Sequence, residues 1–228
     1  MEKVLVVASH PDDEIIGVGG ALRKHVKNGD EVYVLILGDG KTSRQNKYEV
    51  MDDSTKTLSM SETTNALKVL GITNLYHEYL PDNKFDQLTL LDIVKLVTRY
   101  IEKVSPSIIY THHSGDLNID HQLTAEAVII ATRPIQNSLI KELRLFETLS
   151  STEMDGSRST HAFIPNLFIN IDLELEDKLA ALKCYKSEMR EFPHPRSLKS
   201  IEYNARVWGA KNNQMAVEPF YIFRKYID

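Results

Sequence analysis

An unbroken apolar run, Val4-Leu5-Val6-Val7-Ala8, is followed after Ser9 by His10-Pro11-Asp12-Asp13-Glu14. Branched aliphatic residues without polar alternation mark a strand covered on both faces, the pattern of a parallel sheet. Ile15 to Lys27 reads as the helix that follows. The acidic turn therefore falls at the C-terminal end of a strand, the edge of an open α/β sheet where ligands bind. It also opens a helix, whose N-terminal partial positive charge favours Asp12, Asp13 and Glu14 as carboxylates.

The same alternation continues along the chain. Glu31 to Leu37 reads as a second buried strand, and the polar span Lys41 to Ser59 as a long loop placed to cover the site. A helix is expected over Ser61 to Leu70, with Ser61 as cap and Gly71 as stop. A short strand at Asn74 to Tyr79, a Pro81-Asp82-Asn83 turn and a helix over Thr89 to Val104 come next. Ser107 to Thr111 is another buried strand, ending in His112, His113 and the run Gly115 to His121, and helix resumes from Leu123 to Thr132. Beyond Pro134 the pattern predicts strands at Leu143 to Phe146 and Asn166 to Ile171, a helix over Glu174 to Arg190, and a polar segment from Phe192 to Ser197. These elements predict an α/β, Rossmann-like three-layer fold, with a mainly parallel central sheet and helices on both faces. With 228 residues and no linker or repeat, one domain over residues 1–228 is expected.

A formal net charge of −5 gives no basic face for nucleic acid or an anionic membrane, which points to a small-molecule partner. No segment has the roughly 18 apolar residues of a membrane span. The chain enters its first strand without a basic and then apolar leader, and its one cysteine, Cys184, forms no internal disulfide. Both features predict a cytoplasmic setting. No interface is marked in the sequence, and a homo-oligomer stays open.

Two strand ends, far apart in sequence, each carry histidine and aspartate. If the strands are neighbours, His10 and Asp13 meet Asp120 and His121. Two imidazoles and a carboxylate leave the open position that a catalytic zinc needs for water. That water is acidified towards a pKa of about 7. The remaining carboxylate then serves as general base. Spacing alone does not choose zinc over iron or manganese, nor decide which of Asp12 and Asp13 binds the metal.

The strand followed by His10-Pro11-Asp12-Asp13-Glu14, the helix start Ile15-Ile16-Gly17-Val18-Gly19-Gly20 and the later Asp120-His121 resemble the zinc-dependent de-N-acetylases of the PIG-L/LmbE-like family. Ala66 to Gly71, the Asp82-Asn83 turn and Lys178 to Glu188 extend the likeness. The resemblance implies that His10, Asp13 and His121 hold Zn2+, that Asp12 is the base, and that Asp120 tunes the site as an outer acid. It implies hydrolysis of an acetamido group on an amino-sugar conjugate (a sugar nucleotide, glycoside or glycolipid precursor), and members are often oligomers. Several members carry a histidine three residues before the last ligand, where this chain has Asn118. The oxyanion role then falls to Asn118 as a neutral donor, or to His112, His113 or His194. The arginine that many members carry upstream of the glutamate matching Glu62 is also absent, which leaves Arg44 and Arg196 as candidates to grip an anionic group of the substrate. Tyr185, Tyr203 and Trp208 are candidates to stack on a sugar, with core packing as the plainer reading.

Two other classes are open to the sequence. One is a non-hydrolytic Rossmann-type nucleotide-sugar binding protein or transferase, although the first turn has carboxylates where a phosphate needs amides. The other is a metal-bound, inactive scaffold.

Overall fold

The computed structural model describes residues 1–40, 53–134, 140–155 and 161–227. Among these residues one seven-stranded sheet forms, from β1 (Lys3–Ala8), β2 (Glu31–Gly38), β3 (Asn74–Leu80), β4 (Ile108–His112), β5 (Glu142–Phe146), β6 (Leu167–Asn170) and β7 (Val217–Lys225). The order is β3-β2-β1-β4-β5-β7-β6. The first five strands are parallel, and β7 runs antiparallel to both β5 and β6. From the central pair β1 and β4 the chain winds outward in opposite directions, so their C-terminal ends flank the crevice where ligands bind in such sheets.

Both faces of the sheet are covered. Val4, Val6 and Ala8 of β1 face a core that includes residues of α1 (Asp13–Lys27), α2 (Asp53–Val69), α5 (Leu175–Leu182) and α6 (Leu198–Lys211). Leu5 and Val7 face the opposite core, with residues of α3 (Leu90–Val104) and α4 (Ile119–Ala131). Burying each such side chain contributes about 1.5–3 kcal/mol on either side, which is why the run shows no polar alternation. The architecture is the expected three-layer α/β fold.

Helix α1 carries a polar insertion. Lys178 on α5 donates from Nζ to the Ile16 carbonyl at 2.8 Å and to Glu218 Oε1 at 2.6 Å. Glu218 on β7 in turn accepts from the Gly20 and Ala21 amides at 2.8 and 2.7 Å. An α-helix pairs the Ile16 carbonyl with the Gly20 amide; here the buried ion pair engages both groups. Gly17 sits where a Cβ would lie 2.2 Å from the Phe146 ring, so α1 packs against β5 at a distance only glycine allows.

Several boundaries differ from the sequence expectation. Helix α2 starts at Asp53, so Ser61 is an interior residue and the covering loop expected to Ser59 ends earlier; the rest of it lies outside the described residues. Helix α4 starts at Ile119 rather than Leu123, because the Asn118 side chain caps it by accepting from the Asp120 amide at 2.8 Å. Helix α5 stops at Leu182, not Arg190: the Cys184 and Tyr185 amides bond to Ala181 and Leu182, three residues back, and the chain tightens into turns. The sequence reading placed no elements at α6 or β7. Pro219 and Glu218 interrupt the apolar pattern of β7, although Val217 to Phe220 are buried.

Candidate metal centre and active site

Helices α1 and α4 both begin just beyond the crevice between β1 and β4, and they bring the two polar clusters together. Gly38 at the end of β2 makes room for the first turn. Its amide donates to the Ser9 carbonyl at 2.7 Å, and a Cβ there would lie 3.2 Å from the His10 ring. His10, Asp12, Asp13, Asp120 and His121 are all buried.

Three atoms converge. His10 Nδ1 lies 3.3 Å from Asp13 Oδ2, and His121 Nε2 lies 3.2 Å from the same oxygen. A tetrahedral ion with bonds of about 2.0–2.1 Å sets neighbouring donors about 3.3 Å apart, so these separations suit a zinc-sized ion. Both His121 ring nitrogens and Asp13 Oδ1 are buried without a hydrogen bond of good geometry. Nitrogens close to carboxylates but out of line with them are what a shared cation collects. The donor set fits a metal ion.

Each imidazole is backed by its own carboxylate. His10 Nε2 lies 2.9 Å from Asp120 Oδ2 and 3.0 Å from Asp82 Oδ1, and Asp120 also accepts from the Asn83 and Phe85 amides at 2.7 and 3.0 Å. His121 Nδ1 lies 3.1 Å from Asp116 Oδ1, while Asp116 accepts from the Ser151 and Thr152 hydroxyls and from the Asn118 amide at 2.8 Å. Such partners fix ring orientation and raise basicity. Burial pulls the His121 pKa down, but Asp13 and Asp116 outweigh it and lift it to about 9. Burial likewise opposes His10, and Asp120, Asp13 and Asp82 carry it well above its usual value. Burial raises Asp116, and His121 with the two hydroxyls takes it down to about 2.

Asp12 stands beside these donors in a strained conformation. Its φ is +102°, which costs a non-glycine residue about 1–3 kcal/mol and persists only where its surroundings hold it. Glu14 Oε2 accepts its amide at 3.0 Å, and Glu14 is itself bonded by the buried Tyr185 hydroxyl. Burial pushes the Asp12 carboxyl well above the usual range while Arg196 pulls it back, and its Oδ1 is buried without a hydrogen-bond partner among the described residues. A carboxyl raised by burial and placed beside a candidate metal site is suited to take and return a proton.

The PIG-L family of GlcNAc-PI de-N-acetylases matches residues 5–132. This chain belongs to the PIG-L family. It is 27% identical over 190 residues to an uncharacterized deacetylase of Escherichia coli, covering 81% of this chain and 90% of that protein. It is also 27% identical over 198 residues to the diacetylchitobiose deacetylase of Thermococcus kodakarensis, covering 84% of this chain and 72% of that one. Among solved structures, the N,N'-diacetylchitobiose deacetylase of Pyrococcus horikoshii superposes with a TM-score of 0.77 at 19% identity, over 97% of this chain and 84% of that chain.

The remaining predicted residues of this PIG-L chain are placed as follows. Asn118 spends its side-chain oxygen on the α4 cap, and its Nδ2 donates to Asn83 Oδ1 at 3.3 Å. His112 stacks on His121, with ring centroids 4.0 Å apart. Its Nε2 accepts from the Ser9 amide at 2.9 Å, which leaves the ring proton on Nδ1, facing Thr148 Oγ1. His113 points to the His161 carbonyl. His194 is exposed and accepts the Arg196 amide. Arg196 reaches Asp12, and Arg44 lies outside the described residues. Tyr185 is a core residue on Glu14, Trp208 donates to Glu147 at 2.9 Å, and Tyr203 is half exposed beside Phe192. The sequence reading places Asp82 in a turn shared with the family and Asp116 in the run Gly115 to His121, and gives neither a role. Their closeness in sequence to Asn83 and Asn118 was the available signal, but the histidine each one faces is set by the fold.

Proposed function

We propose that this chain is a zinc-dependent hydrolase that removes the N-acetyl group from an amino-sugar conjugate. The observation that carries the reading is the convergence of His10 Nδ1, Asp13 Oδ2 and His121 Nε2 beside Asp12, whose Oδ1 is buried and without a hydrogen-bond partner. The three donors would hold the ion, which supplies an acidified water and polarises the acetyl carbonyl. Asp12 takes the proton as water adds to that carbonyl, then delivers it to the amine nitrogen as the C–N bond breaks. Acetate and a free amino sugar leave. Asp120 and Asp116 hold the two rings in place. The PIG-L match and the diacetylchitobiose deacetylase relatives support an N-acetylglucosamine glycoside among the conjugates weighed. The free Cys184 supports a cytoplasmic setting, and no helix among the described residues is long and apolar enough to cross a membrane. Residues 1–228 are taken as one deacetylase domain.

The test is acetate release by the zinc-loaded protein from a panel of N-acetylated sugar conjugates. Asp12→Ala should keep its metal and lose at least about 10²-fold in turnover; normal turnover in that variant would remove Asp12 as base. Fold alone does not choose the reaction, since the 4-carboxy-2-hydroxymuconate hydratase of Pseudomonas putida KT2440 superposes with a TM-score of 0.72 at 20% identity, over 100% of this chain and 98% of that chain. A panel without acetate release, beside water addition to an unsaturated acid, would move the reading to that chemistry.

A further inference from the structure

Arg196 lies between α5 and α6, 184 residues from Asp12 in sequence. Its side chain is largely buried, with 21% of its surface exposed. Nε donates to Ser150 Oγ at 2.8 Å, and Nη1 lies 3.4 Å from Asp12 Oδ2 and 3.5 Å from Glu188 Oε2. Its backbone is tied as well: the carbonyl accepts from the Arg190 amide at 3.2 Å, and the amide donates to His194 Nδ1 at 3.0 Å. Ser197, the next residue, caps α6. The guanidinium is thus aimed before any substrate arrives, and two carboxylates already answer its charge.

Asp12 is held from the other side. Glu14 fixes its backbone amide, and its carboxylate oxygens are unequal: Oδ2 meets Arg196, and Oδ1 is buried with no hydrogen-bond partner among the described residues. An oxygen left without a partner in a buried site is costly unless another group uses it.

We propose that Arg196 is a positioning residue for Asp12, holding Oδ2 so that Oδ1 is the oxygen that exchanges the proton. This rests on the hydrolase reading above. The proton leaves water as its oxygen bonds the acetyl carbon, resides on Oδ1, and passes to the amine nitrogen as the C–N bond breaks. No other electron or proton source enters. Arg196 then contributes to the rate of the reaction, where the sequence had suggested a grip on an anionic substrate group.

Arg196→Ala, Arg196→Lys, Asp12→Asn and the double variant Asp12→Asn/Arg196→Ala test this in the full chain. In the zinc-loaded protein, Arg196→Ala should lower kcat about 10²-fold with KM within about threefold of wild type. Added guanidinium at non-denaturing concentration should restore part of that kcat, and Arg196→Lys, which keeps the charge without the fork, should fall between. A rise in KM with kcat preserved would assign Arg196 to the substrate and overturn the proposal. Thermal unfolding of the metal-free protein is independent of turnover. The Tm loss from Arg196→Ala should be smaller in the Asp12→Asn background than in wild type, and equal losses would overturn the contact itself. If wild type releases no acetate from any conjugate, the hydrolase reading fails, while the thermal cycle still decides whether Arg196 holds Asp12.

Discussion

His121 and Asp116 face each other 3.1 Å apart between Nδ1 and Oδ1, and Asp116 is pinned there by the Ser151 and Thr152 hydroxyls and the Asn118 amide. That carboxylate keeps the ring turned so that Nε2 points at Asp13. On the proposed zinc reading, Asp116→Ala should therefore weaken zinc binding by about 10–100-fold while the three proposed donors stay in place. Competition with a chromophoric chelator measures the change, and unaltered affinity would remove Asp116 from the site.

Lys178 and Glu218 are both buried, so breaking the pair leaves an uncompensated charge in the core. Lys178→Met should cost about 3–5 kcal/mol in urea unfolding, and Lys178→Met with Glu218→Leu distinctly less than the sum of the two single changes. Additive losses would show that the two side chains act independently.

At Gly17 two effects oppose each other. Replacing an interior helical glycine by alanine gains about 1 kcal/mol of helix propensity. Forcing a methyl against the Phe146 ring costs about 1–3 kcal/mol. Gly17→Ala should thus lower Tm, and a raised Tm would mean that the ring yields easily.

A pH effect is expected away from the metal centre. Arg144 donates to the Tyr110 hydroxyl, His25 Nε2 lies 3.0 Å from that hydroxyl, and His25 Nδ1 lies 2.8 Å from Asp30 Oδ2. Burial lowers the His25 pKa below its usual 6.5; Asp30 opposes the shift and Arg144 adds to it. As pH falls through 6.5 the unfolded chain takes up this proton first, so the folded state loses stability from there down to the folded pKa. Urea midpoints of wild type and His25→Gln between pH 8 and 5 should show a shallower decline in the variant; parallel curves would contradict the assignment.

Much of this was readable in the sequence for a simple reason. β1, β2 and β4 are buried over most of their length, and a strand in that position is mainly apolar. His10, Asp13 and His121 stood out because each follows such a run. Asp116 and Asp120 look alike in sequence, and it is the fold, through Ser151 and Thr152 on one side and the Asn83 and Phe85 amides on the other, that turns one to His121 and the other to His10. Arg196 gave a cation without a direction, since what it meets is set by packing across 184 residues. β7 stayed hidden because Glu218, polar in sequence, is buried by a partner the sequence does not announce.

The polar insertion in α1 also bears on how the protein is made. A ribosome releases the chain from its N-terminus, so β1, α1 and the proposed donors His10, Asp13 and His121 emerge before α5 and β7. The Ile16 carbonyl and the Gly20 amide meet Lys178 and Glu218, 162 and 198 residues further on. A fragment ending where the family match ends, at residue 132, would carry the three proposed donors but neither Lys178 nor Glu218. The proposed centre is encoded within residues 10–121, while the ion pair that engages α1 comes from Lys178 and Glu218, near the other end of the chain.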